Sequence, residues 1–433
     1  MNRSLPLIFI ISAGLFSLPL CAGTSDFAKP ELVREVLAGK RDVARVSWWG
    51  FDAKDSTEFL QSAINSKVKK LIIDRQESAW FTRPLTGVSN QEIVFEKGTD
   101  LVALKGAFQS KGECLISFPE CENIIIRGEK KDCGKTAHIR MHKQDYQSSA
   151  YERSEWRHGL ALYSCRNVLI QDLAIEETGG DGIYLGTVDN KSANRNVVIR
   201  RVDCNGNHRQ GISVISAENL LVEDCLLRNT SGTAPQAGID FEPNSPDELL
   251  VNCVMRNCIA EGNAGTGYQI VPQSMNNRSK PISITLNNCI SRNNGYHAIH
   301  IVSAIKDPPV GLLRITRFTS KNDGMAGLSV QFNPYDAIRI EIENSLFSDN
   351  TRIDKYFPPI YLQAADPVNR PAGGISFKHL IVKDDIDRPF IKNVGPKGTI
   401  AKDITGDITL DRNGRKERIT VDEKWLQEYL AKP

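Results

Sequence analysis

Two carboxylates, Asp240 and Glu242, stand two residues apart in the segment AGIDFEPN, where apolar and polar residues alternate. Residues two apart in a β-strand share a face, and the strand rise places their backbones ~7 Å from each other. Carboxyls that close cannot both ionise freely, so their pKa values split into one acid and one base. An acid to protonate a leaving oxygen and a carboxylate to activate water, or to attack carbon, is the requirement for hydrolysing a glycosidic bond, and ~7 Å falls in the range of the inverting variant. Asp181, in GGDGIYLG, is a third carboxylate able to replace one of the pair. Arg157 and Arg209 are candidates to hold a substrate carboxylate or sulfate bidentately. Trp156 and Tyr184 can stack on a sugar ring, and His158, Gln210, Gln269 and His300 complete the candidate binding set.

What must position these residues is a recurring phrase. WRHGLALYS, GGDGIYLG, HRQGISVIS, APQAGIDFEPN, GTGYQIVP, YHAIHIVS and MAGLSVQF each carry a small residue followed by apolar residues two apart. The small residues are Gly159, Gly182, Gly211, Gly238, Gly267, Ala298 and Gly327, separated by 23, 29, 27, 29, 31 and 29 residues. A steady period of this size marks a solenoid, whose coils stack because none buries its apolar face alone. With Ile183, Ile212, Ile239, Tyr268, Ile299 and Leu328 inward, the residues between the apolar pairs face outward. These are Ala161, Tyr184, Ser213, Asp240, Gln269, His300 and Ser329. Coils ~4.8 Å apart would stack them into a column, with Asp181, Arg209 and Gln210 at its entering edge.

A second apolar run precedes each phrase: RNVLIQDL, RNVVIRRV, ENLLVEDC, ISITLNNC, LLRITRF and IRIEIENS. Its period-2 alternation marks half-buried strands, and the links NGN, EGNAG and RNNG read as bends laddered by asparagine. Helical periodicity is absent between them, and four strands per ~40 residues, as in propellers, do not fit. The segment DAKDSTEFLQSAIN reads as a helix capped by Asp55 or Ser56 with Phe59, Leu60 and Ala63 on its apolar face. Lys131 to Glu155 lacks alternation and reads as an insertion loop or irregular coil, and VDEKWLQEYLAK as a terminal amphipathic helix.

The 433 residues hold 54 Lys plus Arg against 52 Asp plus Glu, a net charge of +2 with no basic run. That speaks against a nucleic-acid partner. The start, MNRSLPLIFIISAGLFSLPLCAG, reads as a secretory signal cleaved near Ala22 or Gly23, which predicts a secreted or periplasmic protein with no membrane span. A lipid anchor at Cys21 is disfavoured by the bulky Leu20. Cys225, Cys258 and Cys289 follow the coil period and read as a ladder of small buried hydrophobes, and Cys114 with Cys121 as a candidate disulfide.

The order of signal, WGFDAKDSTEFLQSAIN, early strands and repeated N-[VL]-x-[IV] and [DQA]-G-I phrases resembles the pectin-lyase-like superfamily over about residues 45–400. The resemblance implies an all-β, right-handed parallel β-helix with an N-terminal cap helix and a short C-terminal helix. It divides the chain into signal (1–22), cap and first coils (23–110), β-helix (111–400) and C-terminal cap (401–433). It also implies a polysaccharide or oligosaccharide partner. The N-x-D with G-D-D, G-H-G and R-I-K phrases of polygalacturonases are absent, so that family's catalytic set is not carried over. Three readings stand: a glycoside hydrolase of an acidic polysaccharide without cofactor; a polysaccharide lyase or uronate epimerase; and a non-catalytic carbohydrate-binding solenoid. In the second, Arg209 or His158 would be the base, Tyr184 the acid, and Asp181, Asp240 and Glu242 calcium ligands.

Overall fold

The structure is a computed structural model and describes residues 28–129, 136–351, 353, 357–364, 370–395 and 401–431. The signal segment and Cys21 lie outside the described residues, and among those residues no helix is long and apolar enough to cross a membrane.

The recurring phrases form one parallel sheet of eleven strands, from Leu85–Thr86 to Ile391–Val394. Its register is the one the repeat predicts. Ile183, Ile212, Ile239, Tyr268, Ile299 and Leu328 pair in sequence, as do Tyr184, Ser213, Asp240, Gln269, His300 and Ser329. The first set lies wholly inside the coil. Each such side chain removed from water contributes about 1.5–3 kcal/mol, which is what holds the stack in register. The small residue before each strand has a steric cause. A Cβ added to Gly182 would lie 2.7 Å from the Gly211 carbonyl oxygen, and one on Gly238 2.7 Å from that of Gly267.

The rest of each coil holds two strands, one long and one short. After Ala217–Glu223, Leu250–Arg256 and Ile282–Asn287 come the short strands Leu226–Arg228, Ile259–Glu261 and Ile290–Arg292. Between them Asp224, Asn257 and Asn288 take φ of 54°, 55° and 53°. This left-handed conformation suits Asn and Asp, and it breaks the alternation that would have revealed the short strand. The asparagine bends are ladders as expected. Asn263 Nδ2 donates to Asn294 Oδ1 at 2.8 Å, and Asn294 Nδ2 donates to Asp323 Oδ1 at 2.8 Å.

Cys225, Cys258 and Cys289 form a buried ladder joined through their thiols. Cys114 and Cys121 are free, contrary to the disulfide expected. They flank the extended strand Ile116–Pro119, so seven residues of near-extended chain hold them ~20 Å apart, far beyond a disulfide's span.

Thr57–Asn65 is the expected helix, with Leu60, Ala63 and Ile64 buried, and a further helix, Pro30–Leu37, precedes it. Part of the predicted insertion is regular, because Ala137–Arg140 is a strand pairing with both neighbouring coils. The residues after it overhang the phrase sheet. At the far end Ala401–Arg412 and Arg415–Val421 form an antiparallel hairpin, and the helix Glu423–Leu430 closes it, Asp422 accepting a hydrogen bond from the Trp425 amide at 2.8 Å. This covers an edge that would otherwise template pairing with other chains.

Candidate active site

Asp240 lies on the strand Ala237–Phe241, facing outward from the coil, yet it is fully buried. Gln210, one coil earlier, explains how it is held. Its Nε2 donates to Asp240 Oδ2 at 2.9 Å while its Oε1 accepts the Ala237 amide at 2.8 Å, so the carboxamide cannot rotate without losing both bonds. Glu242 reaches back to hydrogen-bond Asp240. The two carboxyl groups therefore act on one another more directly than the ~7 Å between their backbones implies. Burial pushes Asp240 well above the usual carboxylate range, and the neighbouring Glu242 adds to this. Asp240 is thus biased toward its protonated form beside a second carboxyl.

Arg209 spans the cluster. Its Nη2 lies 2.9 Å from Glu242 Oε2 and its Nε 3.5 Å from Glu155 Oε1, with only 14% of its side chain exposed. Burial works against its charge, and Asp181, Glu242 and Asp240 more than reverse this, so its pKa is raised. Asp181 is fully buried and pushed up to about 7, first by burial and then by Glu155 and Glu242, with Arg209 and the Ser213 hydroxyl opposing. Two of the three candidate carboxyls are consequently held above the usual carboxylate range.

His158 is not the base its type allows. Its Nδ1 accepts the Asp181 amide at 2.9 Å, and burial, with Arg209 nearby, lowers it to about 3. Its 3.2 Å approach to Asp181 is accordingly not an ion pair. The ring stacks flat on Tyr184, centroids 4.4 Å apart, and burial raises the Tyr184 phenol. Arg209, paired with Glu242 and Glu155, and His158, whose Nδ1 lone pair takes the Asp181 amide, are both engaged in ways that weigh against the role of base in the lyase reading. The calcium set does not fit either. Gln210 directs an N–H at Asp240, Arg209 sits among the carboxylates, and among the described residues no three His, Cys, Asp or Glu side chains are grouped to hold a metal ion.

Gln269 and His300 continue the Asp240 column by one and two coils. Burial lowers His300 to about 4, and its ring packs on His297 at 4.8 Å. Beyond them Phe357 stacks on Tyr361 at 4.6 Å. Trp156 is 48% exposed at the opposite end of the site. Arg157 is a correction. It is fully buried, its guanidinium donating to the Phe108, Gln109 and Glu152 carbonyls, so it braces the overhang and does not reach substrate. Alternation fails at this position because residues 141–157 form no extended strand, only the 3-10 turn Asp145–Gln147 and an isolated bridge from Arg157 to Gly179. Glu155 was missed, since no local spacing links it to Arg209, 54 positions later.

Residues 137–310 match the family model described as right handed beta helix region. A stretch of 158 residues is 34% identical to the uncharacterized protein YclG of Bacillus subtilis, covering 34% of this chain and 26% of that protein, so the chain spans about a quarter of that relative's length. Among solved structures, the A-module of the mannuronan C-5 epimerase AlgE6 from Azotobacter vinelandii superposes with a TM-score of 0.62 at 15% identity, covering 85% of this chain and 94% of that one. The family 28 exopolygalacturonase of Yersinia enterocolitica gives 0.57 at 13% identity, covering 87% and 79%. At such identities the likeness carries the architecture. Together with the three parallel strands per coil, it makes this chain a right-handed parallel β-helix.

Proposed function

We propose that this chain is an exported glycoside hydrolase acting on a polysaccharide or oligosaccharide, with Asp240 as general acid and Glu242 as its carboxylate partner. The observation that carries the reading is the buried Asp240, gripped by Gln210, beside a Glu242 held by Arg209. Asp240 donates its proton to the glycosidic oxygen as the bond to the leaving sugar breaks, and Glu242, parted from it by the entering sugar, takes the proton of the water that attacks the anomeric carbon. Gln210 fixes the acid's orientation, and Arg209 fixes that of Glu242 through a charge-assisted hydrogen bond. Asp181 holds a further proton and limits the negative charge around Asp240. The epimerase and exopolygalacturonase neighbours support a saccharide ligand. Between their two chemistries, the lack of an available base at Arg209 or His158 favours hydrolysis over elimination or epimerisation.

A panel of neutral and acidic polysaccharides, assayed in parallel for new reducing ends and for the ultraviolet absorbance of unsaturated products, tests this. Reducing ends without that absorbance are expected. Unsaturated products would transfer the chain to the lyases, and neither signal would make it a binding solenoid. Asp240→Asn and Glu242→Gln are each expected to lower kcat by about 10²–10⁴ with folding intact. Full activity in both variants would remove them from the site.

A further inference from the structure

Next to the carboxylate cluster, the overhang of residues 143–156 and the bends at 208 and 231–233 enclose an open groove of about 660 Å³. Glu155 lines this groove and also contacts Arg209, so the groove and the cluster are continuous. The groove's chemistry is the opposite of the cluster's. Lys143, Arg153 and Lys111 line it. Lys143 is buried, and its Nζ donates to the Ser231 carbonyl and to Ser231 Oγ, both at 3.2 Å. Among the described residues it has no carboxylate within ion-pair distance, and neither does the exposed Arg153, while Lys111 pairs with the exposed Glu152. The Lys143 ammonium is hydrogen-bonded only to neutral oxygens, and Glu177 acts on it from beyond ion-pair distance, so its lost hydration is only partly offset and an incoming anion relieves it. The wall beside it is rigid. His208 Nε2 bonds Thr233 Oγ1 at 2.9 Å, and its Nδ1 lies 3.3 Å from Gln147 Nε2. The indole of Trp156 stands exposed on the rim.

We propose that this groove is a subsite for an oxyanion substituent, a carboxylate or a sulfate, on a sugar adjoining the scissile bond. Lys143 and Arg153 hold the anion, and Trp156 stacks on the ring that bears it. The inference rests on the hydrolase reading of the Asp240 cluster and names the substrate class for it. It also moves the anion-binding role away from Arg209, which is committed to Glu242 and Glu155.

Calorimetric titration of the intact protein with tetragalacturonate, a sulfated carrageenan tetrasaccharide and neutral xylotetraose tests the subsite and separates its two anion sources. One charged probe is expected to bind at least tenfold tighter than the neutral one, with the advantage fading as salt screens the charges. Arg153→Gln, an exposed change that leaves the fold alone, and Lys143→Met should each remove most of that advantage, with Lys143→Arg restoring it. Equal affinity for charged and neutral probes, or an Arg153→Gln protein that binds the charged probe unchanged, overturns the proposal. Asp240→Asn should keep the charged-probe affinity while losing turnover. If it keeps both, the catalytic assignment fails and the subsite stands.

Discussion

The two outer faces of this solenoid treat charge in opposite ways. On the face built from the longer strands, opposite charges sit in register from coil to coil. Arg200 lies 2.9 Å from Glu223, whose other oxygen pairs with Arg256, and Arg314 lies 3.0 Å from Glu341. These pairs are partly exposed, and each is worth about 0–1 kcal/mol. On the phrase face, Asp181, Asp240, Glu242 and Glu155 crowd around Arg209, and two of the four are fully buried. The first arrangement is what stacking alone selects, since like charges opposite one another destabilise a sheet. The second opposes stability, and strongly perturbed carboxyls gathered in a cleft mark a candidate reactive site.

Substitutions can break or sharpen this contrast. The largest effect on folding belongs to Arg209→Met, which strips the cation from the cluster and is expected to cost roughly 3–5 kcal/mol at neutral pH. The loss should shrink in acid as the carboxylates protonate, and chemical denaturation at two pH values measures both. Denaturation that costs under about 1 kcal/mol at neutral pH would place the cluster on the same footing as the exposed face.

Asp181→Asn acts in the other direction. The folded carboxyl titrates near 7 and the unfolded one near 3.8, so between these values the native state keeps a proton that the unfolded chain has released. Stability therefore falls as pH rises through that window, by up to roughly 4 kcal/mol at full linkage. The variant should flatten this decline and stand above the parent at pH 8 while matching it near pH 4. Parallel melting curves across that range, with an undiminished slope in the variant, would show that Asp181 does not hold the proton.

Asn263→Ala tests the bend ladder between the two faces. It removes the acceptor of the Thr230 amide and the donors to the Leu227 carbonyl and Asn294 Oδ1, which should cost roughly 3 kcal/mol in denaturant titrations. The smallest effect is expected for Glu223→Ala, under about 1 kcal/mol despite two arginine partners and vanishing in high salt. A larger loss there would erase the energetic difference between the faces.

Much of the site was legible because the repeat itself is a coordinate system. Once Ile239 is placed inward, Asp240 must face outward, and the constant period stacks Ser213 beneath it and Gln269 above it. Arg157 shows where that logic ends, because it lies in an irregular overhang where alternation has no meaning, and its guanidinium turns inward to backbone carbonyls. Glu155 and Lys143 come from the same overhang. Their partners, Arg209 and Ser231, lie 54 and 88 positions on, separations that no periodicity spans.

Alternation of apolar residues, a local property, determined the coil, its inward columns and the identity of the carboxylates on the outer face. The tertiary structure alone decided what those carboxylates are chemically. Whether Asp240 carries a proton depends on being sealed from water, on Glu242 folding back against it and on Arg209 lying across both, since a pKa responds to dielectric and to every charge within a few ångströms, whichever segment supplies it.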